Sequence, residues 1–203
     1  IVPTKPTCSA LATGVTSTQL RQTVEAAFST WEAVPTSTTS SQFVGFTLAT
    51  ASSGDGTTVI GFQNRPDLDR TLGATSFMID TVSGAIVESD IFFNTAFPWS
   101  VSAQGETGFF DLQSIAVHEI GHLPGLAHSA MGETELRAGG RRVLAAEAVM
   151  FPVAFASGTI LGRTLKADDL AGIGDIYPST SYTRETGSIS GKVTKSGKGV
   201  LGA

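Results

Sequence analysis

His118-Glu119-Ile120-Gly121-His122-Leu123-Pro124-Gly125-Leu126-Ala127-His128 contains every histidine of the chain. On an α-helix, residues four apart differ by about 40° around the axis and about 6 Å along it. His118 and His122 therefore leave one face and can reach one ion. Glu119, about 100° round from His118, can stand beside that ion without binding it. Gly125 suits the left-handed conformation that ends a helix and reverses the chain, which would bring His128 back as a third imidazole. Three neutral imidazoles leave a fourth tetrahedral position open for water, the ligand set of a catalytic zinc. A bare pair of histidines with one glutamate recurs by accident. The glycine and the third histidine at fixed offsets make the metal reading specific.

The pattern around this stretch is consistent with one domain. Leu112, Ile115, Ala116 and Ile120 fall on one side of a helix expected over Asp111–Leu123. Earlier, Leu20, Val24, Phe28 and Trp31 form a single apolar stripe, with Thr16 and Gln19 as a capping box and Pro35 beyond the end. Between the two helices, Phe43–Leu48, Thr58–Phe62, Leu72–Ile79 and Ala85–Phe93 read as strands, the last two joined by the turn 80–84. A last helix is expected over Ala167–Tyr177, with Asp168 and Asp169 in its first turn, where negative charge suits the helix dipole, and Pro178 as its stop. Residues 1–17 read as a polar, turn-rich N-terminal segment and 179–187 as a linker. Ser188–Val193 reads as a new strand, resembling the start of a truncated β-sandwich module spanning the rest of 179–203.

The composition narrows the class of function. The chain has 203 residues, 41% of them hydrophobic, and a net charge of −5. That is enough for a buried core and disfavours a nucleic-acid or anionic-membrane partner, which would call for a basic face. No apolar run reaches the length of a membrane span. The single cysteine, Cys8, excludes an internal disulfide and a cysteine-rich zinc site.

On these residues the sequence resembles the metzincin metallopeptidases, and within them the matrixins, the matrix-metalloproteinase type. Ser129 directly after His128 is the matrixin-like residue. Met150 in Ala148-Val149-Met150-Phe151-Pro152 resembles the Met-turn under the zinc ligands, and Leu165–Tyr177 resembles the matrixin C-terminal helix. The resemblance spans about residues 18–178 and implies an α+β fold: a twisted mixed sheet, mostly parallel with an antiparallel edge strand, an active-site helix and a small C-terminal lobe. It implies a zinc-dependent endopeptidase acting through a zinc-bound water, with His118, His122 and His128 as ligands and Glu119 as general base and acid. Leu72, Gly73, Ala74 and Thr75 align with the edge strand that holds an extended protein or peptide substrate. A secreted or cell-surface location and a monomeric state are the matching expectations. The alternative is a non-catalytic or latent zinc-binding or adhesion module.

Four departures from the family pattern stand out. Phe92 replaces a structural-zinc histidine and Phe97 a calcium-binding glutamate, leaving no histidine for a second zinc and Asp90 and Asn94 as the groups a calcium ion would use. Pro124 replaces the usual leucine and should loosen the last helical turn. Residues 129–149, with Glu133, Glu135, Arg137, Arg141 and Arg142, form an insertion before Met150. It could recognise substrate, cover the cleft or be a solvated loop, the last being the favoured expectation. Cys8 lies where a zymogen thiolate could occupy zinc, but its surroundings lack most of the switch motif, and an ordinary thiol is expected.

Overall fold

A computed structural model describes residues 2–6, 12, 14–52 and 54–200, the first five by their backbone alone; Cys8 lies outside them. The apolar stripe becomes helix α1 (Ser17–Glu32), opened by the expected Thr16–Gln19 capping box. A five-stranded sheet has the order β2-β1-β3-β5-β4. Its strands are β1 (Val2–Pro6), β2 (Ser41–Phe43), β3 (Val59–Gln63), β4 (Gly73–Ile79) and β5 (Ile86–Asn94). The β1–β2, β1–β3 and β3–β5 pairs are parallel, and only β4–β5 is antiparallel. The mixed sheet with its antiparallel edge is therefore as the sequence led us to expect.

Two details of the sheet differ from the sequence reading. The N-terminal segment was expected to be turn-rich, yet Val2–Pro6 is a strand. Its Val2–Thr4 portion ladders with β2 and its Lys5–Pro6 portion with β3. β1 thus lies between two neighbours, but each of its residues ladders on one side only, which leaves positions where a proline takes no bond from the sheet. The strand expected over Phe43–Leu48 exists only as Ser41–Phe43, because Gly45 at φ 133° turns the chain out of the extended region.

A short parallel pair, β6 (Trp99–Ser100) and β7 (Phe110–Asp111), leads into helix α2 (Leu112–His122). The insertion folds as an antiparallel hairpin, β8 (Gly132–Arg137) and β9 (Gly140–Ala146), and not as an irregular loop. A 3-10 turn at Leu161–Arg163 precedes α3 (Ala167–Ile176). In the expected linker, α4 (Thr180–Glu185) is capped by the Ser179 hydroxyl. Residues 188–193 form no strand; the tail's pairing is the small hairpin β10 (Thr194–Lys195) and β11 (Lys198–Gly199). No helix among the described residues is long and apolar enough to cross a membrane.

The core lies between the sheet and the two long helices. Leu20, Val24, Ala27 and Trp31 of α1 meet Leu112, Ala116, Val117 and Ile120 of α2 over Ile60, Phe62, Ile91 and Phe93 of the sheet. Each large side chain so buried contributes about 1.5–3 kcal/mol by leaving water. Phe62, Phe93 and Trp99 contact one another pairwise with centroids 5.7–5.9 Å apart, edge-on or tilted. The Trp31 indole N–H donates to Val117 O at 2.8 Å, fixing α1 along α2. Gly121 lies in that seam: a Cβ there would overlap Met150 Sδ and the Trp31 ring.

Candidate metal centre and cleft

Asp111 starts α2, its side chain accepting from Ser114 N at 2.8 Å. The helix ends at His122. Leu123 N then bonds Ile120 O at 3.1 Å, in the tighter three-residue pattern, so the missing N–H of Pro124 falls just beyond the regular helix. Gly125 has the expected positive φ, 105°, and its N–H reaches His122 O at 2.9 Å. The reversal returns His128 to the ring pair on α2. The three imidazole centroids are 4.8–5.3 Å apart, and one ligand atom from each lies within 4.8 Å of the others.

The chemistry of these donors fits a metal ion. His118 Nδ1 lies 2.7 Å from Val149 O, and His122 Nδ1 lies 2.7 Å from Leu126 O. A carbonyl only accepts, so both Nδ1 atoms carry the proton and both Nε2 lone pairs are left for the ion. Burial lowers the pKa of both rings and keeps them in the neutral form that binds metal.

Glu119 is only 5% exposed and is not one of the three ligand residues. Burial raises its pKa, opposed by the hydroxyl of Thr75, which donates to Oε2 at 2.8 Å. Thr75 was singled out only as edge strand; its contact with Glu119 joins the strand to the helix. Gly73 is equally close, since a Cβ there would meet Phe92 O at 3.0 Å and Glu119 Cγ at 3.3 Å.

Met150 is buried against Gly121, the residue before His122. Its turn is held by Asp169 of α3, a residue read from sequence only as a helix-dipole partner. Asp169 is 2% exposed and accepts from Val149 N (2.8 Å), Met150 N (3.0 Å) and Lys166 N (2.8 Å). Ser129 N, just after His128, bonds Met150 O at 2.9 Å. The turn thus links the His118 ring, the His128 segment and α3.

A cleft of about 490 Å³ runs past the histidines and Glu119. One wall is the chain from Arg70 to Thr75; the other includes Val149 and Phe151–Ala156. The β4 wall is the open edge of the sheet. Asn94 N bonds Leu72 O at 2.8 Å, so by the two-residue alternation of an antiparallel ladder Gly73 and Thr75 turn their backbone groups outward. On the far side of β5, Asp90 accepts from Val59 N at 2.9 Å. The Asn94 amide is committed to the 65–71 loop, accepting from Arg65 N and donating to Arg65, Leu68 and Thr71 carbonyls. The two residues therefore serve different elements.

The profile of the matrixin family of peptidases matches residues 7–178. The chain belongs to the matrixin family. No curated protein matches it. For a matrixin, the His118, His122 and His128 cluster is the zinc-binding triad of the family motif.

Proposed function

We propose that this matrixin is a zinc-dependent endopeptidase in which Glu119 is the general base and acid. The observation that carries the reading is the buried Glu119 carboxylate beside three metal-ready imidazoles and outside their ligand set. A purely structural metal would have no use for it, which counts against a non-catalytic zinc or adhesion module. His118, His122 and His128 would hold the ion. When bound, zinc supplies Lewis-acid polarisation and lowers the pKa of water.

An extended peptide adds to the open edge of β4, its backbone pairing antiparallel with the outward groups of Gly73 and Thr75 while Leu72 and Ala74 pair inward with β5. Glu119 Oε1 takes the proton of the attacking water and delivers it to the leaving amine. Thr75 holds Oε2, so the two carboxylate oxygens have different duties. Burial keeps Glu119 basic enough to accept that proton, because the charged form is the one desolvation disfavours. Met150 and Asp169 keep the rings in place from below. The cleft is complete within one chain, so a monomer suffices, and residues 18–178 form the catalytic domain. Secretion belongs to this reading through the family resemblance, and fractionation of producing cells would check it.

The test is cleavage of a quenched fluorescent peptide library by zinc-loaded protein, with Glu119→Gln alongside. The variant should keep its zinc, measured by metal analysis, and lose about 10²–10⁴-fold in turnover. Turnover in the variant near that of the parent would sink the role of Glu119. A hydroxamate, which needs an open coordination position, should raise the melting temperature of the zinc form; no shift would favour the non-catalytic module.

A further inference from the structure

The charges lining the cleft are few and unbalanced. Arg70, Asp111, Glu119 and Lys166 are the charged residues of its wall. Asp111 is neutralised by Arg163, whose guanidinium meets both carboxylate oxygens at 2.5 and 2.9 Å. Glu119 is buried at the reaction centre. Lys166 makes no ion pair among the described residues. Neither does Arg70, whose side chain also has no hydrogen-bond partner among them. Its neighbour Asp69 is unpaired with it, and Arg65 and Asp67 pair with each other at 2.8 Å. The walls therefore carry unmatched positive charge in a chain whose net charge is −5.

The place of Arg70 gives this charge a direction. Arg70 lies three residues before Gly73, where β4 begins. The tip of the inserted hairpin closes behind it, with Arg70 Nη1 3.8 Å from where a Cβ of Gly140 would stand. Of the hairpin's two carboxylates, Glu133 stands opposite Ala145 at the end of the ladder away from the tip. Glu135 is already engaged, pairing with Arg137 at 2.8 Å and with Arg142 at 3.5 Å, while Arg141 donates to the neutral Thr134 hydroxyl. A peptide antiparallel to β4 runs from the Ile79 end toward the Gly73 end, so the part that passes Arg70 is C-terminal to the scissile bond. At about 3.3 Å per residue, Arg70 meets side chains about two to four residues beyond that bond.

We infer that Arg70 is a specificity-determining residue: it pairs with an acidic side chain on the C-terminal side of the cleaved bond, and the preferred substrates are acidic there. A guanidinium with no internal partner gives up little on binding a carboxylate, and its planar fork accepts one bidentately. Glycine at the hairpin tip leaves room for that side chain beside the strand. The inference rests on the peptidase reading for its register and on Arg70 alone for its charge.

The experiment uses zinc-loaded protein and peptides identical except for Glu, Gln or Lys at each of these positions. For the parent, kcat/KM should favour Glu over Gln by roughly fivefold, the scale of a solvent-accessible ion pair. Arg70→Gln should bring the Glu-to-Gln ratio to one, and Arg70→Glu should invert the order in favour of Lys. Raising the salt should shrink the parent's preference. Equal rates for Glu and Gln in the parent, or a Glu preference that survives Arg70→Glu, would overturn the assignment. If no peptide is cleaved, the peptidase reading is what fails. Fluorescence anisotropy of the same labelled peptides with the Glu119→Gln protein then decides the Arg70 question without catalysis: tighter binding of the Glu peptide, lost in Arg70→Gln, supports it, and equal binding overturns it.

Discussion

The floor of the cleft and its rim are built on opposite plans. The floor, from His118 to His128 with Met150 and Asp169, buries Glu119, Met150 and Asp169 while leaving His128 exposed, and it is cross-braced by hydrogen bonds from three separate chain segments. The rim hairpin, Gly132–Ala146, is held chiefly by its own ladder and leaves Leu136 and Leu144 77% and 55% exposed. Its contacts with the body are few, among them Phe151 against Gly132 and Arg70 at the tip. On the function proposed above, chemistry belongs to the part tied down by these bonds, and recognition to the part that can change while the histidines stay where they are.

The sharpest way to break this contrast is at Asp169. Asp169→Asn replaces one carboxylate oxygen with a donor that faces backbone N–H groups, so about 2–4 kcal/mol of stability should go, with a weaker hold on the metal. Calorimetry of the apo and zinc forms would measure both. An unchanged melting temperature would mean that the floor is not braced from α3. Next comes Gly121→Ala, which forces Met150 and Trp31 apart and should cost about 1–3 kcal/mol. Smaller still should be replacement of residues 132–146 by a short Gly-Ser turn. Stability should then change by less than about 1 kcal/mol while the peptide preference shifts. A collapse on that deletion would make the rim part of the floor.

A pH experiment tests a region remote from both. Burial pushes the Asp90 carboxyl up to about 6, opposed by the Val59 N–H and reinforced by the charges of Glu88 and Asp55. The folded state therefore binds more protons than the unfolded chain between about pH 4 and 6, and stability falls as pH rises through that window. Asp90→Asn should flatten this slope and leave the protein more stable than the parent at neutral pH, as melting curves from pH 4 to 7 would register. A slope that persists in the variant would assign it to another group.

What the sequence disclosed was local. His118, His122, Gly125 and His128 were legible because helical spacing and one glycine determine where four side chains go. The strands β3, β4 and β5 were legible because their apolar residues run between turns, and the capping box of α1 because it spans four residues. Asp169 was not legible as the brace of the Met-turn, because its acceptors serve amides twenty residues away and nothing in the first turn of α3 marks that. Nor was β1, whose five residues include Pro3 and Pro6 and show no strand pattern. The hairpin was hidden for a different reason: β8 puts a charge at every second position, and β9 sets Arg141 beside Arg142 with no alternation, a composition shared with solvated loops.

Trp31 has an optical consequence. The chain has two tryptophans. Trp99 sits among phenylalanines on the far side of the core, its indole N–H on Asn94 O. Trp31 lies against Gly121, one residue from the ligand His122, and touches the helix that the ion would tighten. With Trp99→Phe, the emission left belongs to that single indole. Zinc uptake should then change its intensity and polarisation, so the protein carries its own gauge of metal loading, readable in a cuvette without substrate or label.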